Sequence, residues 1–124
     1  MIKTFNEYQK EALFFKNYLD EYLKINPDIS EDLKKLLSLS YDGLGLGEAG
    51  EVQGKIKKII RDNGGVITEE NIEAIKGELG DTIWYISSMC DTLGISMEEV
   101  ATYNIEKLTS RYNRGKMHGS GDNR

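Results

Sequence analysis

Between Thr68 and Gly94 the apolar residues Ile72, Ile75, Leu79, Ile83, Ile86, Cys90 and Leu93 recur at intervals of three and four. An α-helix turns by about 100° per residue, so this spacing paints one stripe along one helix face, and a strand would need alternation instead. The same spacing runs through Phe5, Tyr8, Ala12, Phe15, Leu19, Tyr22 and Leu23, behind a capping box made by Thr4 and Glu7. It predicts a first helix to about Lys24, stopped by Asn26-Pro27. Ser30, with Glu31 and Asp32, starts a second helical region carrying Leu33, Leu36, Leu37 and Leu39 and running to Ile60, with a break expected near Asp42-Gly43. Asn63-Gly64-Gly65 is a turn signal. Thr68, with Glu69 and Glu70, starts the third helix, and Ser96 with Glu99 starts a fourth that runs through Tyr112. The expected fold is all-α: an antiparallel four-helix bundle over residues 1–113, followed by an irregular glycine-rich tail over residues 114–124.

The 124 residues allow one core and not two. No apolar run approaches the length of a membrane span, and the first residues reach Glu7 and Glu11 without the apolar stretch of a secretion signal. Cys90 is the single cysteine, which rules out an internal disulfide and a thiolate zinc cluster and fits a reducing cytoplasm. The net charge of -5 argues against a nucleic-acid polymer as partner. A small anionic ligand remains compatible, because a bound cation can invert the local field.

Acid-x-x-acid occurs four times, as Asp28/Glu31, Glu48/Glu51, Glu70/Glu73 and Glu78/Asp81, and helix phase separates them. Glu70 and Glu73 fall on the far side from the third helix's stripe, and Asp28/Glu31 straddle a helix start, where acids suit the dipole. Glu78 borders the stripe, with Asp81 one step further out. Glu48 projects inside the stripe of Leu44, Val52, Ile56, Ile59 and Ile60, and Glu51 shares its shoulder. An ionised carboxylate on an apolar face is costly unless paired or bound to a metal. One reading is a Glu48 neutralised by Lys or Arg, beside a surface Glu51–Lys55 pair. The other is four carboxylates converging from two helices, a cluster that needs cations to remain ionised. All-oxygen donors select a hard cation, Mg²⁺ with Mn²⁺ as substitute, and Mg²⁺ commonly shares its coordination with substrate phosphates. Glycines crowd both pairs, at Gly43, Gly45, Gly47, Gly50 and Gly54 and at Gly77 and Gly80, leaving room for close backbone approach or a ligand. In the fourth helix Asn104 sits amid Met97, Val100, Ala101, Leu108 and Tyr112, with Lys107 and Arg111 on the shoulder. That amide and those two cations are either phosphate ligands or a cap and a solvated face.

Gly47-Glu48-Ala49-Gly50-Glu51-Val52, then Glu78-Leu79-Gly80-Asp81-Thr82-Ile83-Trp84-Tyr85, then Asn104-Ile105-Glu106-Lys107-Leu108 and Arg111-Tyr112 resemble the MazG-like nucleotide pyrophosphohydrolases of the all-α NTP pyrophosphatase superfamily. The resemblance runs from about Tyr8 to Tyr112. It implies a helical dimer or tetramer binding Mg²⁺ through Glu48, Glu51, Glu78 and Asp81. It implies a nucleoside triphosphate, ribo or deoxy, cut by water to monophosphate and pyrophosphate, a reaction suited to cleansing the nucleotide pool. Which acid takes the proton stays open, Glu48 and Glu51 being the catalytic candidates. Asn104, Lys107 and Arg111 would hold phosphates, with Gln9 and Trp84 or Tyr85 at the base. The chain departs from full-length MazG in carrying one domain and not a tandem pair.

Two alternatives stand beside this reading. A non-catalytic oligomerisation module would use the acids in inter-helix salt bridges with Lys55, Lys57 or Lys58. A di-iron bundle would need Glu-x-x-His on two helices, and the only histidine, His118, lies in the tail without a partner at ligand spacing. The tail, with Lys116, His118 and Arg124, is either a flap over phosphates or disordered.

Overall fold

The computed structural model describes residues 1–123, which contain helices and no strand. The helices are α1 (Phe5–Ala12), α2 (Asp20–Ile25), α3 (Glu31–Gly45), α4 (Ala49–Asp62), α5 (Glu69–Leu93) and α6 (Met97–Asn113), with 3₁₀ turns at Leu13–Phe15 and Leu46–Glu48. The long α5 is the axis of the molecule. It packs against α3 and α4 along most of its length, against α1, and only lightly against α6. Among the described residues, no helix is long and apolar enough to cross a membrane.

The ends of the helices follow local chemistry. Thr4–Glu7 and Ser96–Glu99 form reciprocal capping boxes, each hydroxyl accepting from the backbone amide three residues on. Thr68 is capped in the same way, but the reciprocal side chain is Asn71. Ser30 accepts from the Leu33 amide. Gly94 closes α5 in the left-handed conformation at φ 70°, which glycine adopts without a Cβ penalty. Gly64 and Gly65 do the same after α4.

Two interior features differ from the sequence expectation. The first helical stretch is broken: after Ala12 the chain tightens into a 3₁₀ turn, and Lys16 leaves helical geometry at ψ 79°. Tertiary contacts reward the break. The Lys16 ammonium donates to the Ser88 carbonyl at 2.9 Å, to Asp91 at 3.0 Å and to the Thr92 hydroxyl at 2.7 Å. Tyr18 swings inward beside it. The second departure concerns the long region to Ile60. Helix α3 continues through Asp42 and Gly43, and the interruption falls later, at Leu46–Glu48. A 3₁₀ residue advances by about 120° against about 100° in an α-helix, so three of them rotate everything downstream by roughly 60°. The stripe that places Leu44, Glu48 and Val52 on one face is therefore not continuous. Leu44 is 80% exposed while Ile59 is buried.

The core within one chain is small. Ala12, Ile59, Cys90 and Met97 are its buried apolar residues, and the most deeply enclosed side chains are polar: Asp42, Ser87 and Ser88. Large apolar side chains stay uncovered on every helix, including Leu36 on α3, Ile60 on α4, Ile72 and Leu79 on α5, and Tyr103, Ile105 and Tyr112 on α6. Residues 116–123 are irregular and fold back so that the Arg111 guanidinium donates to the Asp122 carbonyl at 2.8 Å.

Candidate functional site

Helix α5 carries Glu78, Asp81, Trp84 and Tyr85 on successive turns, and the i, i+3, i+6 and i+7 spacing puts them on one side of the helix. Glu48 comes from the 3₁₀ turn that joins α3 to α4, which packs directly on α5. One carboxylate oxygen from each of Glu48, Glu78 and Asp81 lies within 4.8 Å of the others. Glu48 and Glu78 are half-buried and Asp81 is exposed. Three negative groups this close repel one another unless a cation shares the space. Among the described residues, the one cation that forms an ion pair here is Lys55 of α4, whose ammonium stands 3.3 Å from Glu78 Oε1. Three oxygen donors around one point, without nitrogen or sulfur, fit a hard divalent cation such as Mg²⁺ or Mn²⁺.

Beside the acids is a cavity of about 200 Å³ lined by Glu48, Asp81, Trp84 and Tyr85. Its aromatic side belongs to a closed cluster of four rings, in which Tyr41 also meets Tyr85 at 6.4 Å. Tyr85 meets Trp84 edge-on at 5.1 Å, Trp84 meets Tyr18 edge-on at 6.1 Å, and Tyr18 stacks flat on Tyr41 at 4.0 Å. The Trp84 indole N–H donates to the Ala12 carbonyl at 3.2 Å, which fixes the ring and ties α5 to the end of α1. Gly45 makes the cluster possible: a Cβ there would collide with the Tyr85 ring. Burial raises the Tyr85 phenol above its ordinary range, and the negative charges of Glu48 and Asp81 push it further up, so it stays a neutral donor. Tyr8 of α1 is raised likewise by burial and by Asp81, which places it within reach of the same field.

Glu48, Glu78, Asp81 and Trp84 thus lie together. The remaining candidates are placed elsewhere or left free. Glu51 is exposed on the first turn of α4 and outside the three-carboxylate group. Gln9 clamps the α5–α6 turn, donating to the Ile95 carbonyl at 3.1 Å and accepting from the Met97 amide at 2.9 Å. Asn104 is exposed and Lys107 lies over the Tyr103 ring at 6.0 Å. Arg111 is buried, its Nη2 held by the tail and its Nε without a partner. Of the tail cations named above, Arg124 lies outside the described residues. Sequence reasoning passed over Asp42, Tyr18 and Tyr41. Asp42 reads as part of a break before glycine, and neither tyrosine falls in the apolar stripes that the spacing picks out.

Residues 40–115 match the family model described as the MazG nucleotide pyrophosphohydrolase domain. A curated relative, the Gene 37 protein of Mycobacterium phage L5, is 47% identical over 94 residues, covering 75% of this chain and 82% of the relative. No solved structure matches.

Proposed function

The chain belongs to the MazG nucleotide pyrophosphohydrolase family, and on that premise we propose that it hydrolyses nucleoside triphosphates to monophosphate and pyrophosphate at the Glu48–Glu78–Asp81 cluster. The observation that carries this reading is the convergence of three carboxylate oxygens within 4.8 Å beside an aromatic-walled cavity. Glu48, Glu78 and Asp81 would hold Mg²⁺, or Mn²⁺ in its place, and Glu51 would join them by turning its side chain inward from the first turn of α4. Bound there, the cation supplies positive charge that polarises the phosphoryl group and offsets the acids. The flat faces and edges of Trp84 and Tyr85 offer a nucleobase a stacking surface. Lys55, which pairs with Glu78, would turn to a phosphate oxygen of the bound substrate. Glu48 or Glu51 accepts the proton of the attacking water. The bond between the α-phosphorus and the bridging oxygen breaks, and that oxygen leaves with pyrophosphate. Asn104, Lys107 and Arg111 hold phosphates, Arg111 only after the tail gives up its guanidinium.

The uncovered apolar faces of α5 and α6 support assembly as a dimer or tetramer, because monomers rarely expose apolar patches so extensive. The Lys55–Glu78 bridge favours a second reading, in which the acids serve only to pin helices in such an assembly. One experiment separates the two. The protein is incubated with a panel of ribo- and deoxynucleoside triphosphates and Mg²⁺ or Mn²⁺, and the products are identified. Monophosphate and pyrophosphate are expected, with Glu78→Gln and Asp81→Asn lowering kcat by at least ~100-fold, the scale of losing a metal-held charge. Failure to turn over any of the panel, together with an unchanged Mg²⁺ affinity in Glu51→Ala, would sink the enzyme reading in favour of the structural one.

A further inference from the structure

Asp42 lies in the middle of the molecule with no exposed surface. Its Oδ1 accepts from the Tyr18 hydroxyl at 3.0 Å, and the same hydroxyl is 3.1 Å from Ser88 Oγ on α5, itself almost fully enclosed. Asp42 Oδ2 has no hydrogen-bond partner. A carboxyl in that position is expensive, and an apolar side chain of similar size would fill the space at lower cost. What the carboxyl provides is a fixed position for Tyr18.

The consequence reaches the candidate site through rings in contact. Tyr18 lies flat on Tyr41, at an interplanar angle of 4°, and edge-on to Trp84. Trp84 in turn meets Tyr85 edge-on, and Tyr85 rests on Gly45, three residues after Asp42 and one helical turn further along α3. Tyr41 also meets Tyr85 at 6.4 Å, so the four rings close on one another, with Asp42 holding Tyr18 and Gly45 seating Tyr85. The segment from which Tyr18 projects is not helical, so its own backbone does not fix the ring. Lys16, two residues earlier, clamps that segment to Ser88, Asp91 and Thr92. Nothing in the acid cluster requires this arrangement, since neither Tyr18 nor Asp42 belongs to it.

We propose that Asp42 and Tyr18 are positioning residues for the nucleotide site: their buried hydrogen bond sets the Trp84–Tyr85 wall of the cavity at the angle a nucleobase needs. This rests on the reading that the cavity takes a nucleotide. Neither residue touches the reacting phosphate, so the effect falls on substrate affinity and not on the chemical step.

The test uses the full chain and its sole tryptophan, Trp84, as reporter. Tyr18→Phe removes the hydroxyl and keeps the ring. It is expected to raise KM by about three- to tenfold, the worth of one neutral hydrogen bond, with kcat and the Mg²⁺ half-saturation point close to wild type. Without nucleotide, the same variant should show a shifted Trp84 emission and increased acrylamide quenching. Asp42→Asn retains the carbonyl acceptor and should keep a KM near wild type, whereas Asp42→Leu should behave as Tyr18→Phe does. Should Asp42→Leu fail to fold, Tyr18→Phe decides alone. A folded Tyr18→Phe with wild-type KM and wild-type Trp84 emission overturns the proposal, even if its melting temperature has dropped. Were the wild type to hydrolyse no nucleotide, the nucleotide reading would fall, and the Trp84 comparison without nucleotide would still decide whether Tyr18 sets the wall.

Discussion

Gly43 and Gly45 lie two residues apart in α3, and alanine should act on them in opposite directions. Both positions are helical, so replacing glycine removes about 0.5–1 kcal/mol of backbone entropy cost at each. At Gly43 an added Cβ meets nothing within 4 Å, so Gly43→Ala is expected to stabilise by that amount. At Gly45 the same atom collides with Cδ1, Cε1 and Cζ of Tyr85. A ring held between neighbouring rings cannot yield as the tip of a flexible side chain does. Forcing extra volume into such a contact costs about 1–3 kcal/mol. The propensity gain is common to both variants and cancels in their difference, which isolates the collision. Gly45→Ala should therefore melt below Gly43→Ala by that 1–3 kcal/mol, or roughly 4–12 °C for a chain of this size. Thermal unfolding followed by circular dichroism measures the gap, and Trp84 emission in the folded state shows whether the ring cluster has moved. Equal melting temperatures with unchanged Trp84 emission would refute the claim that Gly45 exists to seat Tyr85.

Lys55→Ala removes the cation that faces Glu78, so it should cost up to about 1 kcal/mol at low salt and enlarge the rise in melting temperature on adding Mg²⁺; an identical Mg²⁺-induced rise in both proteins would count against a shared site. For Asp42, burial holds the carboxyl above its ordinary 3.8 despite the Tyr18 and Ser88 hydroxyls and the opposing influences of Lys16 and Asp91. The folded chain thus binds more protons than the unfolded one between those two values, and the stability contributed by neutral Asp42 is present below the ordinary value and lost as pH rises through the raised one. Asp42→Asn lacks that loss, so its stability relative to wild type should improve from about pH 4 to neutrality in urea titrations; a pH-independent difference would contradict it. Burial, with Glu99 nearby, raises the Cys90 thiol above its ordinary range. Since the thiolate is the reactive form, Cys90 should be labelled by a thiol reagent at neutral pH only at the rate at which the chain opens, and stoichiometric labelling of the native protein within minutes would show the site is not enclosed.

The helices were legible because their causes are local. Capping boxes at Thr4 and Ser96, the left-handed stop at Gly94 and the Gly64-Gly65 turn act through a few neighbouring residues, and each stands where the sequence places it. The pairing of Glu48 with Glu78 and Asp81 was suggested by the resemblance of their two motifs to the MazG family, while helix phase alone left it open, and the assembled helices bring the three acids together. Sequence by itself therefore determined an all-helical chain of the MazG family with an acidic centre. Tertiary structure decided the rest. The break after Ala12 and the inward turn of Lys16 and Tyr18 depend on acceptors more than 20 residues away, on Asp42 and Ser88, which no local window contains. The 3₁₀ turn at Leu46–Glu48 resets the helix phase, so Glu51 falls outside the carboxylate group although periodicity sets it beside Glu48. Gln9 is tied to the turn between α5 and α6, whose residues lie far along the chain. Periodicity assigns a side chain to a face; only the assembled helices determine what that face meets, because burial and hydrogen-bond partners come from residues distant along the chain.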